Sequence, residues 1–148
     1  MRKIFFIVAL GFFLFLPKLP AQPLAKIGEI KVLIWGLQSD KGIVKIGLYN
    51  TKEGYRSRGS IASFLSASVK PKERKAEFIF EQVPYGEYTI KLFHDANYNG
   101  VVDKNIFGIP NESYGFSNNP KMLLGPPSYD QAKFNIFSPQ IILEIKVR

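Results

Sequence analysis

Residues 75–94 read KAEFIFEQVPYGEYTIKLFH, and this stretch decides the fold. From Lys75 to Val83 the residues alternate, with Ala76, Phe78, Phe80 and Val83 on one face. From Glu87 to His94 they alternate again, with Tyr88, Ile90 and Leu92 on one face. A period of two is the period of a strand, because successive side chains leave opposite faces of the chain. Between the two runs stands Val83-Pro84-Tyr85-Gly86. Proline sets φ near −65° and glycine supplies a position that tolerates positive φ, so the spacing predicts a tight turn.

The same period extends outward in both directions. Ile27 to Leu37 predicts a first strand, with Ile30, Val32 and Ile34 on one face and Leu33, Trp35 and Leu37 on the other. Ser39-Asp40-Lys41-Gly42 predicts a turn. Ile43 to Asn50 is a second strand, carrying Val44, Ile46 and Leu48 on one face. Thr51 to Gly59 is polar and reads as a loop, and Ile61 to Val69 as irregular chain ending in a strand. Ala132 to Phe137 and Ile141 to Val147 predict two more strands, divided by Ser138-Pro139. Short strands parted by Gly, Pro and Asn turns, with almost no helix, predict an all-β chain. The expected fold is a single Ig-like or prealbumin-like β-sandwich of about seven strands with one long ordered loop.

The N-terminus has a different composition. Arg2 and Lys3 precede an apolar run from Ile4 to Leu16, thirteen residues by count, followed by Pro17, Pro20 and Ala21. That is the layout of a secretory signal peptide, expected over residues 1–21, with a short linker at 22–26 and the sandwich at 27–148. Thirteen apolar residues fall short of the roughly 20 needed to span a bilayer. No cysteine follows the run, so a lipid-modified anchor is not expected, and the processed chain is not expected to be an integral membrane protein. The expected location is periplasmic or secreted. The chain has 148 residues and a net charge of +8. Loss of Arg2, Lys3 and Lys18 takes 20 basic residues to 17 against 12 acids, leaving +5. The basic residues are dispersed, and no element interleaves them with aromatics, so nucleic-acid binding is not expected. An envelope glycan or protein is the expected class of partner. The absence of cysteine removes thiol chemistry and disulfides, so the domain must stand on its apolar core.

From Asp95 to about Gln131 neither period is sustained. Asp95, Asn97, Asn99 and Asp103 fall at odd offsets, with Gly100 where the chain must turn sharply and Val101 able to offer a carbonyl. Oxygen ligands at the first, third, fifth, seventh and ninth positions, with glycine at the sixth, suit Ca2+ in an EF-hand type of loop. The twelfth position is Ile106 instead of a bidentate carboxylate, so either the shell is incomplete or a ligand such as Glu112 or Asp130 completes it from elsewhere. Two readings stay open: a Ca2+ site, or a metal-free turn in which Asp and Asn bond their own backbone. Tyr114, Phe116, Ser117, Asn118 and Asn119 form a second candidate, a surface for a sugar or peptide, with a self-packed loop as its alternative. His94 is the one histidine. Neighbouring side chains in a strand face opposite ways, so Asp95 is not its natural partner, and no catalytic residue is assigned. A hydrolase using Asp95, Asp103 and Glu112 is the alternative function, and a structural or accessory domain with a metal-free loop is another. Trp35 reads as core or rim packing.

Several of these motifs run together. Phe93-His94-Asp95, Asn97, Asn99-Gly100, Asp103, Gly108-Ile109-Pro110, Glu112, Tyr114-Gly115-Phe116-Ser117-Asn118-Asn119, Gly125-Pro126-Pro127-Ser128-Tyr129, and Ala132 with Phe134 resemble the DUF2141 family of exported bacterial proteins. The resemblance extends from about Ile27 onward. It implies one all-β domain behind a signal peptide and implies no activity. Phe80, Val83-Pro84, Gly86, Tyr88 and Ile90 are also similar to the turn-and-strand signature of transthyretin-like and Cna-B-like sandwiches, such as the carboxypeptidase regulatory-like fold. That likeness bears on the fold alone.

Overall fold

The computed structural model describes residues 26–57, 63–122 and 125–148. The expected signal peptide at 1–21, the linker up to residue 25, the last two residues of the expected polar loop (58–59) and the first two of the expected irregular chain (61–62) lie outside the described residues. Eight strands and two short helices follow in the order β1 (Ile27–Trp35), β2 (Ile43–Tyr49), α1 (Lys52–Arg56), β3 (Leu65–Val69), β4 (Lys75–Pro84), β5 (Gly86–Asp95), β6 (Tyr114–Phe116), α2 (Tyr129–Ala132), β7 (Phe134–Ile136) and β8 (Gln140–Lys146). They form two sheets. One has the order β4-β1-β8, and the other runs β3-β2-β5-β6, with β7 also pairing with β5. The chain is an all-β sandwich, as the alternation predicts.

The core lies between the sheets. Ile30, Val32 and Ile34 of β1, Val44, Ile46 and Leu48 of β2, and Tyr88, Ile90 and Leu92 of β5 are buried there, together with Phe80, Val83, Ile136 and Ile145. Phe80 and Val83 both point inward although three residues apart. Gln82 adopts φ +53°, and the register against β1 shifts between Gly28 and Ile30, so a bulge absorbs the extra residue.

The structure corrects several local expectations. Leu37 belongs to the core rather than to the opposite face: β1 ends at Trp35, and Gly36 at φ +89° resets the alternation. Thr51 to Arg56 is no simple loop, because Thr51 Oγ1 accepts from Gly54 N and starts α1. Ala132 closes α2, whose capping box is built by Ser128 and Gln131, so the expected strand begins only at Phe134. The turn at Pro84–Gly86 does not join neighbours in one sheet. It carries the chain from the three-stranded sheet to the five-stranded one.

The outer face of the larger sheet has a core of its own. Tyr49, Tyr55, Phe116, Tyr129 and Ala132 pack together there, bringing both helices down on the sheet. Tyr55 meets Tyr49 and Tyr129 edge-on, with centroids 6.1 and 5.8 Å apart. Gly47 makes room, since a Cβ there would lie 2.6 Å from the Tyr49 hydroxyl.

Candidate functional site

The Asp95 loop begins where β5 ends. Asp95 pairs with Ile43 across the β2–β5 ladder and is fully buried. A Cβ on Gly42 would overlap the Asp95 carbonyl, and Gly42 takes φ +75°, so glycine is required for the turn that passes beneath the loop. His94 fixes the same turn: its Nε2 lies 2.6 Å from the Lys41 carbonyl, and its backbone N–H donates to Ser113. The imidazole is buried and its ring nitrogen is engaged with backbone, away from the Asp95 carboxylate.

The loop's oxygens converge. Asp95 Oδ1 accepts from Asn99 N at 3.0 Å and its Oδ2 from Gly100 N at 2.9 Å. Asn97 Oδ1 accepts from Asn99 N at 3.1 Å, and Asn99 Oδ1 from Val101 N at 2.9 Å. The two amide groups then donate to Asp103, Asn97 to Oδ2 at 2.7 Å and Asn99 to Oδ1 at 2.9 Å. Side chains from the first, third, fifth and ninth positions of the predicted cation loop therefore meet, with Gly100 at φ +83° on the sharp turn. Ile106, at the twelfth position, is 93% exposed and faces solvent.

Glu112 lies across this loop. Its Oε1 accepts from Ala96 N at 3.0 Å and its Oε2 from Asp103 N at 3.2 Å. One buried carboxylate thus ties the start of the loop to its ninth position. Asp130 lies in α2, where it pairs with Lys52 and Lys133 at 3.0 and 3.5 Å. Those two lysines hold its carboxyl below the usual range, the Lys52 hydrogen bond most strongly. Lys45 is a neighbour that sequence reasoning missed. Its Nζ stands 3.8 Å from Asp95 Oδ2. Its place on β2 is legible in the sequence, but its approach to Asp95 follows from the β2–β5 register. No group of three or more His, Cys, Asp or Glu side chains gathers among the described residues. A cation here would rely on the two asparagine amides and the Val101 carbonyl as much as on Asp95 and Asp103.

Tyr114 to Asn119 is used differently. Tyr114 to Phe116 is strand β6, and Phe116 and Ser117 are buried. Ser117 Oγ accepts from Ile90 N at 2.9 Å and donates to the Ala132 carbonyl at 2.5 Å. Asn118 donates to the Lys133 carbonyl at 2.6 Å. Asn119 clasps β8, donating to the Glu144 carbonyl at 2.7 Å and accepting from Lys146 N at 2.8 Å. These side chains tie β6 and the chain after it to β5, to the end of α2 and to β8. Trp35, 39% exposed, stands on the outer face of the smaller sheet with Lys146 Nζ 4.8 Å over its ring. An open hollow of about 700 Å³ adjoins it, rimmed by Lys75, Glu77 and Glu144.

A second charged group is enclosed away from the loop. Lys91 Nζ lies 4.3 Å over the Tyr49 ring and 5.0 Å over that of Tyr55, and donates to the Tyr55 carbonyl. Burial lowers its pKa. Burial likewise raises the hydroxyls of Tyr49 and Tyr55.

No helix among the described residues is long and apolar enough to cross a membrane. No curated protein and no solved structure matches the sequence. Residues 32–142 run from within β1 to within β8 and include the whole Asp95–Glu112 site; they match the model for an uncharacterized protein conserved in bacteria, and the chain belongs to that family, DUF2141.

Proposed function

We propose that the protein is an exported, non-catalytic β-sandwich module, periplasmic or secreted, that acts by binding an envelope component and whose Asp95–Asp103 loop takes Ca2+. The observation that carries the cation is the convergence of Asp95, Asn97, Asn99 and Asp103 around the turn at Gly100. Each Asp95 oxygen uses one lone pair on a backbone N–H and keeps another free. Rotating the Asn97 and Asn99 amides would turn their oxygens toward Asp103 and add neutral ligands. Two carboxylates match a divalent charge, and with so few the affinity belongs to the weak extracellular class, on the order of 10⁻⁴–10⁻³ M. Binding is favoured over turnover because His94, the one histidine, is buried with its Nε2 engaged by the Lys41 carbonyl.

A metal-free structural loop is the second reading. It is favoured by the fact that the Asp95, Asn97, Asn99, Asp103 and Glu112 oxygens already accept hydrogen bonds within the loop. Thermal unfolding with Ca2+ and with chelator separates the two. A ligand that binds the folded state alone stabilises it by about 1.4 kcal/mol at ten times Kd, which raises Tm by several degrees in a domain of this size. The Ca2+ reading expects that rise, and expects it to vanish in Asp103→Ala. An unchanged midpoint at about 10 mM Ca2+, above the weak-site range, would leave the metal-free reading.

A further inference from the structure

Five large apolar side chains are exposed between residues 98 and 109: Tyr98, Val101, Ile106, Phe107 and Ile109. Single exposed apolar residues are ordinary, whereas a concentration of them in one loop marks a contact surface. The apex is the turn 105–109. Ile106 and Phe107 stand 93% and 79% exposed there. The turn is firmly built. Asn105 Oδ1 accepts from Phe107 N at 2.9 Å and Ile109 N at 3.0 Å, Asn105 N donates to the Ile109 carbonyl at 2.8 Å, and Gly108 N donates to the Asn105 carbonyl at 2.9 Å. Below it, Asn111 N reaches the Asp103 carbonyl at 2.8 Å, and Lys104 bridges to Pro110. Two features define what such a tip can enter. Its Phe107, Gly108 and Ile109 N–H groups are satisfied within the turn, so these donors need no water when the apex leaves it. Its shape is convex, with apolar side chains at the apex and a cationic one, Lys104, at the base. The nearby Asp103 carboxylate is occupied by the two asparagine amides.

We infer that the 105–109 turn is a membrane-docking tip: Ile106 and Phe107 enter the interface of an anionic lipid bilayer while Lys104 stays at the level of the phosphates. An apolar apex above a lysine whose stem can lie along the acyl boundary is the pattern of a side chain reaching back to head groups. The positive balance of the exported chain, 17 basic residues against 12 acids or +5 once Arg2, Lys3 and Lys18 leave with the signal segment, draws it toward an anionic leaflet. The inference rests on the exported, envelope-binding part of the proposed function and is independent of the cation.

The test is flotation of the exported protein with phosphatidylglycerol-rich vesicles and with phosphatidylcholine vesicles, in chelator and in Ca2+. Ile106→Ser/Phe107→Ser and Lys104→Glu variants are run beside the wild type. Expected are binding of the wild type to the anionic vesicles and a loss of at least about tenfold in the double variant, because two apolar side chains no longer leave water. Lys104→Glu should weaken binding severalfold on anionic vesicles and leave any residual binding to neutral ones unchanged. All three positions are exposed, so circular dichroism should show the variants folded. A wild type that floats with neither vesicle overturns the inference, as does a double variant that floats equally well. A double variant whose one change is a smaller mass in solution would assign the tip to contact between copies of the chain and also overturn it. Failure of the Ca2+ reading shows in the thermal midpoint, not here.

Discussion

At Asp95 one buried carboxylate serves two purposes. It ends β5, and it receives the N–H groups of Asn99 and Gly100 that shape the loop. Lys45, 3.8 Å away, is the nearest positive charge and competes with any cation placed there. Its side chain is about a third exposed, so its attraction to Asp95 is screened and modest. Two unit charges 4 Å apart in water interact by about 1 kcal/mol. Lys45→Met should therefore strengthen Ca2+ binding roughly fivefold, read by titration calorimetry. An unchanged or weaker affinity would remove Asp95 from the coordination shell. Glu112 shows what a buried carboxylate can do for architecture: it joins the loop amides of Ala96 and Asp103, which no strand pairs.

At the scale of elements, α1 and α2 are five and four residues long, too short to persist alone. Caps at Thr51 and Ser128 begin them, and the tyrosine cluster holds them to the sheet. This layer makes stability fall at high pH. Burial raises the Tyr49, Tyr55 and Tyr129 hydroxyls above their ordinary value of 10.0, so above that pH the unfolded chain loses protons that the folded one keeps. Their contribution is whole below pH 10.0 and is lost as pH rises through the raised folded values. Lys91 acts with the opposite sign: between its lowered value and 10.5 the unfolded chain binds more protons, and stability rises with pH. Tyr55→Phe removes the hydrogen bond to the Pro127 carbonyl and should cost about 1 kcal/mol at neutral pH. It should also make the decline above pH 10.0 shallower, measured by urea unfolding across the alkaline range. A decline as steep as in the wild type would show that Tyr55 does not contribute to it.

In the whole molecule, the two sheets are joined at one end by backbone and by an asparagine. Tyr114 and Arg148 exchange both hydrogen bonds at 3.1 Å, linking β6 of the larger sheet to the chain just beyond β8. Asn119, at φ +47°, adds its clasp on Glu144 and Lys146. β8 is the edge strand of the β4-β1-β8 sheet, and the clasp covers part of its outer side. Asn119→Gly keeps the left-handed backbone accessible and deletes the two side-chain bonds. It should lower stability by about 1–2 kcal/mol, read as a lower urea midpoint with unchanged slope. An unaltered midpoint would mean that the clasp contributes nothing net.

The alternation of Val44, Ile46 and Leu48, and of Tyr88, Ile90 and Leu92, determines strands with one buried face from residue order alone, because a strand's period is two. The spacing of Asp95, Asn97, Asn99, Gly100 and Asp103 likewise determines a sharp polar loop, since each contact there spans only a few residues. What sequence order could not supply is whatever depends on distant segments meeting. Val83 to Gly86 reads as a tight turn, yet the turn changes sheets, because β4 finds its partner in β1, far earlier in the chain. Tyr114 to Asn119 looks like an aromatic-amide binding surface. Tertiary packing directs Phe116 toward Tyr55, Asn118 toward the Lys133 carbonyl that ends α2, and Asn119 toward the Glu144 carbonyl of β8. Lys45 reaches Asp95, and Glu112 reaches Ala96, through register and loop closure. Those contacts are decided by the fold because their energy is gained only after the intervening chain has been ordered.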